Sequence, residues 1–423
     1  MALSPIKRID TFLIERFSNS SPVQFGWALF FLGCLVRIGL VFATHYYRYT
    51  LPPDTEDEWL RVAANLAAGR GFVNPYCCES GPTGHVSPGF AYLLAAEYLL
   101  VRGPMRAIVI SVVSCIVSSA VYAMTPWLAE SLGFSRLTGR WAGLAGAAVP
   151  LFFWIEVCGV LEAPYIALAL VIGVALTLGA KSLRGLALSG AAWGAGFWFA
   201  PNALPVMLGC AAVAISRLPR RAALPGAVLL ITPAAAIISP WIVRDYVVLH
   251  GLFWVRDNMG LELRVSNNSE AVAFALVNID GSFYRRYHPN VSPVACAQVQ
   301  RLGEAAVYRQ YRKDAIEWIA AHPGPFARLT AQRVLLFWFP PWNSRLRQAM
   351  LCGITLLAFL GILMNARRSR GAMLGAILLL YSGVYYLVQA DPRYRYPLQP
   401  FVLIAAAAAA LGIVSKMSGR RFA

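Results

Sequence analysis

The sequence predicts an all-α protein that crosses a membrane about ten times. Of its 423 residues, 58% are hydrophobic and only 13% are charged, and the mean hydropathy is +0.57. Long apolar runs alternate with short clusters of Arg and Lys, which is the pattern of membrane helices and their cytoplasmic flanks. A nucleic-acid binder would gather its basic residues on one face with interleaved aromatics. The net charge of +17 therefore indicates membrane topology, and no nucleic-acid partner is expected.

The apolar runs give the predicted spans and the basic clusters orient them. By residue number the spans are 25–43, 107–128, 141–157, 160–178, 223–243, 349–364, 373–387 and 397–414. The apolar stretch 185–215 has basic residues at both ends, so we expect it to cross out and back with a bend near Pro201 and Asn202. The short basic loops, with Lys181, Arg217 and Arg368 among them, then all lie on the cytoplasmic side.

Two long segments, 45–106 and 244–347, are left on the external face of what we predict to be a single membrane domain spanning 1–423. The second segment contains an amphipathic helix with Val307, Tyr311 and Trp318 on one side, followed by a basic, aromatic stretch at 326–339. Such segments suit the membrane interface. We therefore expect juxtamembrane helices here and not a separate soluble domain.

An acidic cluster in the first external segment carries the main catalytic candidates. Thr55 and Glu58 have the spacing of a capping box. Glu56, Asp57 and Glu58 would then occupy the first helical turn, where the helix dipole favours negative charge. Asp54 lies before this cap and is not needed for it, so it is the first candidate for a general base, with Glu56 and Asp57 as alternatives.

Candidate cations occur at predicted external helix ends. Arg244 ends one span, and Arg393 with Arg395 precedes the last span, where each could hold a phosphate or could merely place its charge at the interface. Glu162 lies at a tight turn between two spans, where an ionisable group near hydrocarbon is a functional candidate unless the turn is simply exposed to water. A lone loop histidine such as His85 is more often incidental.

Cysteines at 77, 78 and 296 fall in the external segments, which leaves either one structural disulfide there or reduced thiols. The other cysteines sit in apolar runs, where a thiol behaves as a small hydrophobe. The cysteines show no metal-binding spacing.

Five stretches together resemble one family of enzymes. They are AANLAAGRGF at 63–72, SPGF at 87–90, GVLEAP at 159–164, the run 240–268 beginning PWIVRDY, and RYRYP at 393–397. Their order is similar to that in bacterial relatives of the protein O-mannosyltransferases and of the lipid A aminoarabinose transferases. Those enzymes have the GT-C fold and use polyprenyl-phosphate-linked sugars. The match covers most of the chain.

The resemblance implies a GT-C transmembrane bundle in a bacterial cytoplasmic (inner) membrane, with the active site on the external face. It implies transfer of a sugar, with inversion, from a polyprenyl-phosphate carrier to a lipid, glycan or protein acceptor. The predicted site residues are the acids Asp54, Glu56 and Asp57, the phosphate-binding Arg244, Arg393 and Arg395, and the supporting Glu162, His85 and Asn267. No cofactor is certain; no metal ligands are assigned, although a divalent metal is compatible with the chemistry.

This chain departs from the family pattern at two places. The family commonly places its acid four residues before an aromatic, but Thr55 holds that offset from Trp59, so the base is left open between Asp54, Glu56 and Asp57. An expected Arg before Pro201 is replaced by Ala200. Two other functions remain as alternatives. One is an O-antigen-type ligase or polymerase with a pyrophosphate-linked donor, and the other is a lipid or solute transporter, whose expected repeated halves are not evident in the sequence.

Overall fold

The structure is a computed structural model that describes residues 21–49, 57–159, 161–342 and 344–418. Over these ranges the chain is mostly helical, and its β-structure is limited to two isolated bridges, Val73 with Pro82 and Phe274 with Ala390. The prediction of an all-α fold is therefore confirmed. Asp54 and Glu56 lie outside the described residues.

In the part of the chain that the structure describes, ten helices form the bundle and ten others cover one of its ends. The bundle helices are α1 Pro22–Ala43, α4 Met105–Ser131, α5 Arg136–Ala148, α7 Ala163–Gly179, α8 Leu183–Phe197, α9 Leu204–Ser216, α10 Arg220–Leu249, α17 Arg345–Met364, α18 Ser369–Leu387 and α20 Gln399–Ser418. The covering helices are α2 Glu58–Ala67, α3 Pro88–Leu100, α6 Phe153–Val157, α11 Met259–Ser266, α12 Ala275–Asn278, α13 Ser282–Tyr287, α14 Pro293–Leu302, α15 Glu304–Ala321, α16 Pro323–Trp338 and α19 Pro392–Arg395.

Within the described ranges, six helices are long and apolar enough to cross a membrane: α1, α4, α10, α17, α18, and α20 together with the residues from Pro392. The protein is thus a multi-pass membrane protein. The remaining bundle helices α5, α7, α8 and α9 have 13 to 17 residues, fewer than the roughly 20 that a bilayer core requires of a straight helix. The count of ten crossings stays a prediction.

One predicted span is interrupted in the structure, and one predicted bend is confirmed. The expected continuous span 141–157 is wrong, because α5 ends at Ala148 and α6 begins only at Phe153. Pro150 explains the break, since proline disfavours helical geometry in the residue before it and lacks an N–H. The stretch 185–215 does turn back, with a 3₁₀ turn at Pro201–Ala203 between α8 and α9.

The connections sort to opposite ends of the bundle. Arg370 Nη1 donates to the carbonyl of Gly133 at 3.1 Å, which joins the basic α4–α5 and α17–α18 connections. Arg217 Nη1 donates to the carbonyl of Leu178 at 3.2 Å, which joins two more basic helix ends. Described residues from the other connections, including both long segments, line a cavity at the opposite end. The chain therefore alternates between a basic end and a cavity end.

The two long segments pack on each other above the cavity. Tyr76 of the first segment is buried in a small core with Leu261 and Val265 of α11 and with Val307 and Tyr311 of α15. The amphipathic face predicted for this region thus forms a protein core. Because this core contains residues of both segments, the two segments together form the layer that covers the cavity.

Candidate active site

A cavity of about 610 Å³ opens at the end of the bundle opposite the short basic connections. Part of its wall is apolar, and this part is formed by Leu161, Ile166, Leu204, Leu252, Leu380, Val384 and Val388. Another part is polar or charged, and this part includes Glu58, His85, Glu162, Arg256, Asp257, Glu262, Arg309, Arg312 and Arg393. The volume is in the range of small-molecule sites. A wall of this composition suits a ligand with one apolar end and one charged end.

Asp57 caps the helix that brings the acidic cluster to the cavity. Its Oδ1 accepts from the backbone N–H groups of Trp59 at 3.0 Å and Leu60 at 3.3 Å, and α2 begins at Glu58. The predicted capping box of Thr55 and Glu58 is therefore wrong, because Asp57 is the N-cap and takes the N–H groups itself. Glu58 does lie in the first turn as predicted, whereas Thr55 and Glu56 lie outside the described residues. Burial, followed by the neighbouring Glu58 carboxylate, raises the pKa of Asp57 to about 7.

Glu58 lies at the centre of a cluster with two histidines. Its Oε2 is 3.1 Å from Nε2 of His85, and its Oε1 is 3.8 Å from Nε2 of His288. Although burial opposes ionisation of Glu58, the charge of His85 holds its pKa at about 2. For His85, burial lowers the pKa, but the charge of Glu58 more than offsets this, and the pKa of His85 is raised overall. For His288, burial dominates and lowers the pKa to about 4. Among the described residues, these three side chains form the one group suited to hold a metal ion.

Glu162 and Arg256 form an ion pair on the cavity wall. Arg256 Nη1 donates to Glu162 Oε1 at 3.0 Å, and its Nε donates to the carbonyl of His85 at 2.8 Å. The hydroxyl of Ser87 also donates to Glu162. Glu162, a predicted site residue, is therefore bound to an arginine that sequence reasoning missed. The available signal was the position of Arg256 between Trp254 and Asp257, inside the stretch that carried the family resemblance.

The three predicted phosphate-binding arginines have different surroundings. Arg393 lines the cavity, with Nη2 donating to the hydroxyl of Tyr394 at 3.0 Å. Arg244 is not on the cavity wall and donates to the carbonyls of Thr83 at 2.6 Å and Phe72 at 3.1 Å. Arg395 is also away from it, fully buried, and donates to Thr355 Oγ1 at 2.8 Å. The structure thus brings only Arg393 to the cavity.

Of the supporting residues, His85 and Glu162 line the cavity and Asn267 does not. The side chain of Asn267 donates to the carbonyls of Leu263 and Leu387, each at 3.0 Å, and accepts from Arg333 at 3.1 Å. Arg333 also donates to the carbonyl of Leu387. These bonds fasten α11 and α16 to the end of α18, just behind the cavity wall.

A second acidic pair, Asp257 and Glu304, lies behind the histidine cluster and was also missed from the sequence. Glu304 accepts from Thr83 Oγ1 at 2.8 Å and from the Gly84 N–H at 2.7 Å. Burial and the adjacent Glu304 charge raise the pKa of Asp257. Because the Asp257 N–H also donates to the Gly84 carbonyl at 3.1 Å, these bonds hold the His85 loop against both α15 and the chain before α11.

A disulfide joins the two segments that carry the histidines. Cys78 precedes His85, Cys296 follows His288, and their Cα atoms are 6.6 Å apart in the bonded pair. Of the two alternatives left by the sequence, the structure has the disulfide. Cys77 is a free, exposed thiol whose Sγ donates to the carbonyl of Asn290 at 2.9 Å.

Comparison with known proteins gives structural matches only. No family model matches the sequence, and no curated protein matches it. Among solved structures, the archaeal oligosaccharyltransferase AglB from Archaeoglobus fulgidus, in complex with an inhibitory peptide and a dolichol-phosphate, aligns with a TM-score of 0.55 at 13% identity and covers 93% of this chain. The Archaeoglobus fulgidus oligosaccharyltransferase in its apo form aligns with a TM-score of 0.56 at 13% identity, and the alignment covers 93% of this chain. The same enzyme tethered to an acceptor peptide aligns with a TM-score of 0.54 at 15% identity, and the alignment again covers 93% of this chain.

These similarities are at the level of fold. The chain spans about half the length of the proteins it aligns with, which is 50%, 51% and 50% of the three chains. The alignment covers 93% of this chain, and the fold agrees with the architecture expected from the resemblance seen in the sequence. This polytopic, all-α membrane protein has the fold of the GT-C glycosyltransferases.

Proposed function

We propose that this protein is a membrane glycosyltransferase that moves a sugar from a polyprenyl-phosphate carrier to an acceptor on the external face of a bacterial inner membrane, with inversion. The observation that carries the proposal is the cavity itself, whose apolar wall adjoins a wall of acids, histidines and arginines at the helix ends. A polyprenyl phosphate has the matching halves, an isoprenoid tail and an anionic head. The acceptor is a lipid, a glycan or a protein.

The chemistry of an inverting transfer assigns roles to the residues. A general base removes the acceptor proton while the acceptor oxygen attacks the anomeric carbon, and cations stabilise the departing phosphate. Asp54 is our first choice for the base, with Glu56 and Asp57 as alternatives. Asp57 is the weaker of these, since its carboxylate already caps α2.

Arg393 is the proposed phosphate ligand with access to the cavity, and Arg256 joins it as a second cation on the same wall. Arg244 and Arg395 do not line the cavity, so their proposed role is to support its wall: Arg244 donates to two backbone carbonyls and Arg395 Nη2 donates to Thr355. Glu162 and His85 would orient the substrates, and Asn267 would hold the wall in place.

Three observations support the donor class and the location. The Archaeoglobus fulgidus neighbours have been solved with a dolichol-phosphate and with an acceptor peptide, so the shared fold accommodates a polyprenyl phosphate in those proteins. The Cys78–Cys296 disulfide needs an oxidising compartment. The basic ends obey the positive-inside rule when the cavity end faces that compartment.

The test is to identify the lipid that the protein carries. We expect native mass spectrometry of the full chain, purified in mild detergent, to find a bound polyprenyl monophosphate. Arg393→Ala should lose most of it, while Arg301→Ala, an exposed arginine on α14 away from the cavity, should keep it. A bound pyrophosphate-linked glycan would instead favour the ligase alternative. Equal lipid occupancy in both variants, or no isoprenoid lipid at all, would contradict the proposal.

A further inference from the structure

We propose that Glu262 is the sugar-binding residue of the cavity and that its carboxylate accepts hydrogen bonds from hydroxyl groups of an uncharged transferred sugar. The inference deepens the proposed function and rests on it, because the position of the sugar follows from that of the carrier phosphate. It is carried by the place of Glu262 on the cavity wall and by the way its carboxylate is held.

The Glu262 carboxylate has unused capacity to accept hydrogen bonds. It lies on α11 and lines the cavity. From the described residues, its Oε1 accepts from Asn258 Nδ2 at 3.5 Å and its Oε2 accepts from Gln389 Nε2 at 3.4 Å, both longer than an ordinary N–H···O bond. A carboxylate has about four acceptor positions, and buried polar groups are normally satisfied. A ligand that donates hydrogen bonds would therefore complete this site.

The basic residues near Glu262 are already paired with other acids. Burial raises the pKa of Glu262, and the nearby basic side chains on the cavity wall only partly offset this. These side chains and their partners are His85 with Glu58 at 3.1 Å, Arg256 with Glu162 at 3.0 Å and Arg393 with Asp391 at 3.8 Å. The Glu262 carboxylate therefore stays available to a ligand.

Neutral amides fix the position of Glu262 without neutralising its charge. Gln389, which follows α18, is buried, and its Oε1 accepts from Nδ2 of the buried Asn278 at 3.4 Å. Asn278, at the end of α12, also donates to the carbonyl of Val265 on α11 at 3.0 Å. These bonds connect three helices behind the carboxylate. A few precisely placed polar groups of this kind give a pocket its specificity.

The place of Glu262 suits the sugar and not the phosphate or the isoprenoid tail. In a polyprenyl-phosphate sugar the sugar is bonded to the phosphate, for which Arg393 is the proposed ligand. Glu262 lies near enough to Arg393 for the two charges to interact, and both residues line the cavity. The rings of Tyr385 and Tyr394 also line it, stacked with centroids 4.3 Å apart. Their negative faces suit the C–H groups of a sugar ring.

The surrounding charges favour an uncharged sugar. A carboxylate on the sugar would be repelled by Glu262 and by Glu58, which also lines the cavity. An ammonium group would be attracted to Glu262 but repelled by the nearby charges of Arg256 and Arg393. Hydroxyl groups donate to a carboxylate without either repulsion.

Competition between two forms of the carrier tests the inference. The full chain, delipidated in mild detergent, is offered equal amounts of bare polyprenyl monophosphate and of the polyprenyl-phosphate sugars extracted from bacterial membranes. Native mass spectrometry should show that the wild type prefers a sugar-loaded carrier whose mass excess is that of an uncharged sugar. Glu262→Ala should lower the ratio of loaded to bare carrier by about 10- to 100-fold, as expected for lost hydrogen bonds to a charged group. It should still bind the bare carrier, and Glu79→Ala, an exposed glutamate away from the cavity, should behave as wild type.

Glu262→Gln separates a hydroxyl ligand from a cationic one. Its amide oxygen still accepts from hydroxyl groups, so it should keep more of the preference than Glu262→Ala. A loss as large as in the alanine variant would indicate an ammonium-bearing sugar and overturn the inference, as would an unchanged ratio in Glu262→Ala. Normal preference with turnover abolished in both variants would make Glu262 a general base instead. Thermal unfolding checks folding, and Glu262→Asp, which withdraws the carboxylate from the sugar, replaces an unfolded alanine variant with the same expected result.

The inference and the proposed function fail in different ways. If the wild type retains loaded and bare carriers equally, Glu262 does not read the sugar, and the carrier-dependent function stands. If folded wild-type protein retains neither lipid, the proposed function is contradicted and the inference falls with it.

Discussion

Asp54 is the proposed general base, whereas Asp57 caps α2, and substitutions at the two positions distinguish these roles. Asp57→Asn keeps the cap, since Asn is as good an N-cap as Asp. We therefore expect it to retain stability and transfer activity. Asp54→Asn should lower turnover by a factor of about 100 to 10,000, the usual cost of removing a general base, and should leave lipid binding intact. Turnover and thermal unfolding of the two variants provide the measurement.

Two further variants complete that set. Asp57→Ala should lose about 1 kcal/mol of stability through the lost cap and should still transfer sugar. Glu56→Gln should have little effect. Near-normal turnover in Asp54→Asn, combined with collapse in Asp57→Asn or Glu56→Gln, would move the base along the cluster. Full activity in all of the variants would remove these acids from the mechanism.

Arg37 and Glu156 form a buried ion pair inside the bundle, away from the cavity. Their charged atoms are 3.1 Å apart with at most 1% of either side chain exposed, and Arg37 also donates to the carbonyls of Gly146 at 2.8 Å and Ala147 at 3.0 Å. Arg37→Met should destabilise the protein by about 3 to 5 kcal/mol, because it leaves Glu156 buried without its cationic partner.

The double variant is the control for this pair. Arg37→Met combined with Glu156→Leu should recover much of the lost stability, since no buried charge is left without a partner. Thermal unfolding in detergent checks both. Wild-type stability in the Arg37→Met variant alone would show that the pair contributes nothing, and a double variant worse than the sum of the singles would contradict the argument.

At the scale of elements, the cover of the cavity depends on a close approach between α11 and α15. A Cβ added at Gly260 would meet the backbone carbonyl oxygen of Tyr308 at 2.0 Å. Gly260→Ala must therefore separate the two helices, and both residues line the cavity. We expect lower thermal stability and weaker lipid binding, measured by unfolding and by native mass spectrometry.

The matched control is Gly353→Ala in α17. A Cβ at Gly353 meets nothing within 4 Å, and alanine is favoured over glycine within a helix. This variant should be neutral or slightly more stable, with normal lipid binding. If Gly260→Ala behaved in the same way, the packing of α11 against α15 would not be needed for the cavity.

At the scale of the whole molecule, the alternation between a basic end and a cavity end predicts the topology. Lys181, Arg217 and Arg368 should be cytoplasmic, and Asp54, Glu162, Asn267 and Arg393 should face outward. The test is labelling of single cysteines introduced at 54, 181 and 368 with an impermeant reagent in intact cells. The labelling background is protein with its exposed Cys77 replaced by serine.

The expected result is labelling at 54 before the inner membrane is permeabilised and at 181 and 368 only afterwards. The reverse pattern would invert the topology and, with it, the proposed external site. Labelling of 181 and 368 on opposite sides would break the alternation of ends on which the orientation rests.

The sequence determined the parts of this protein that depend on local composition. Hydropathy and charge predicted the helical bundle, the bend near Pro201 and the two covering segments, because a bilayer imposes the same length and charge rules on every span. Predictions from local sequence were wrong at two places, the N-cap of α2 and the continuity of the span 141–157. Asp57 and not Thr55 caps α2, and Pro150 interrupts a span that composition alone made continuous.

Only the tertiary structure decided which distant side chains meet. The sequence carried no spacing that pairs Glu58 with His85 and His288, or Arg256 with Glu162, which lie 94 residues apart. Nor could it choose between a Cys78–Cys296 disulfide and reduced thiols. Charge patterns predict which end of the bundle a residue occupies, but each end contains many residues, and the charge pattern does not predict which of them are in contact. Contacts within one end depend on how the two covering segments fold over the cavity, and that is set by packing of the whole chain.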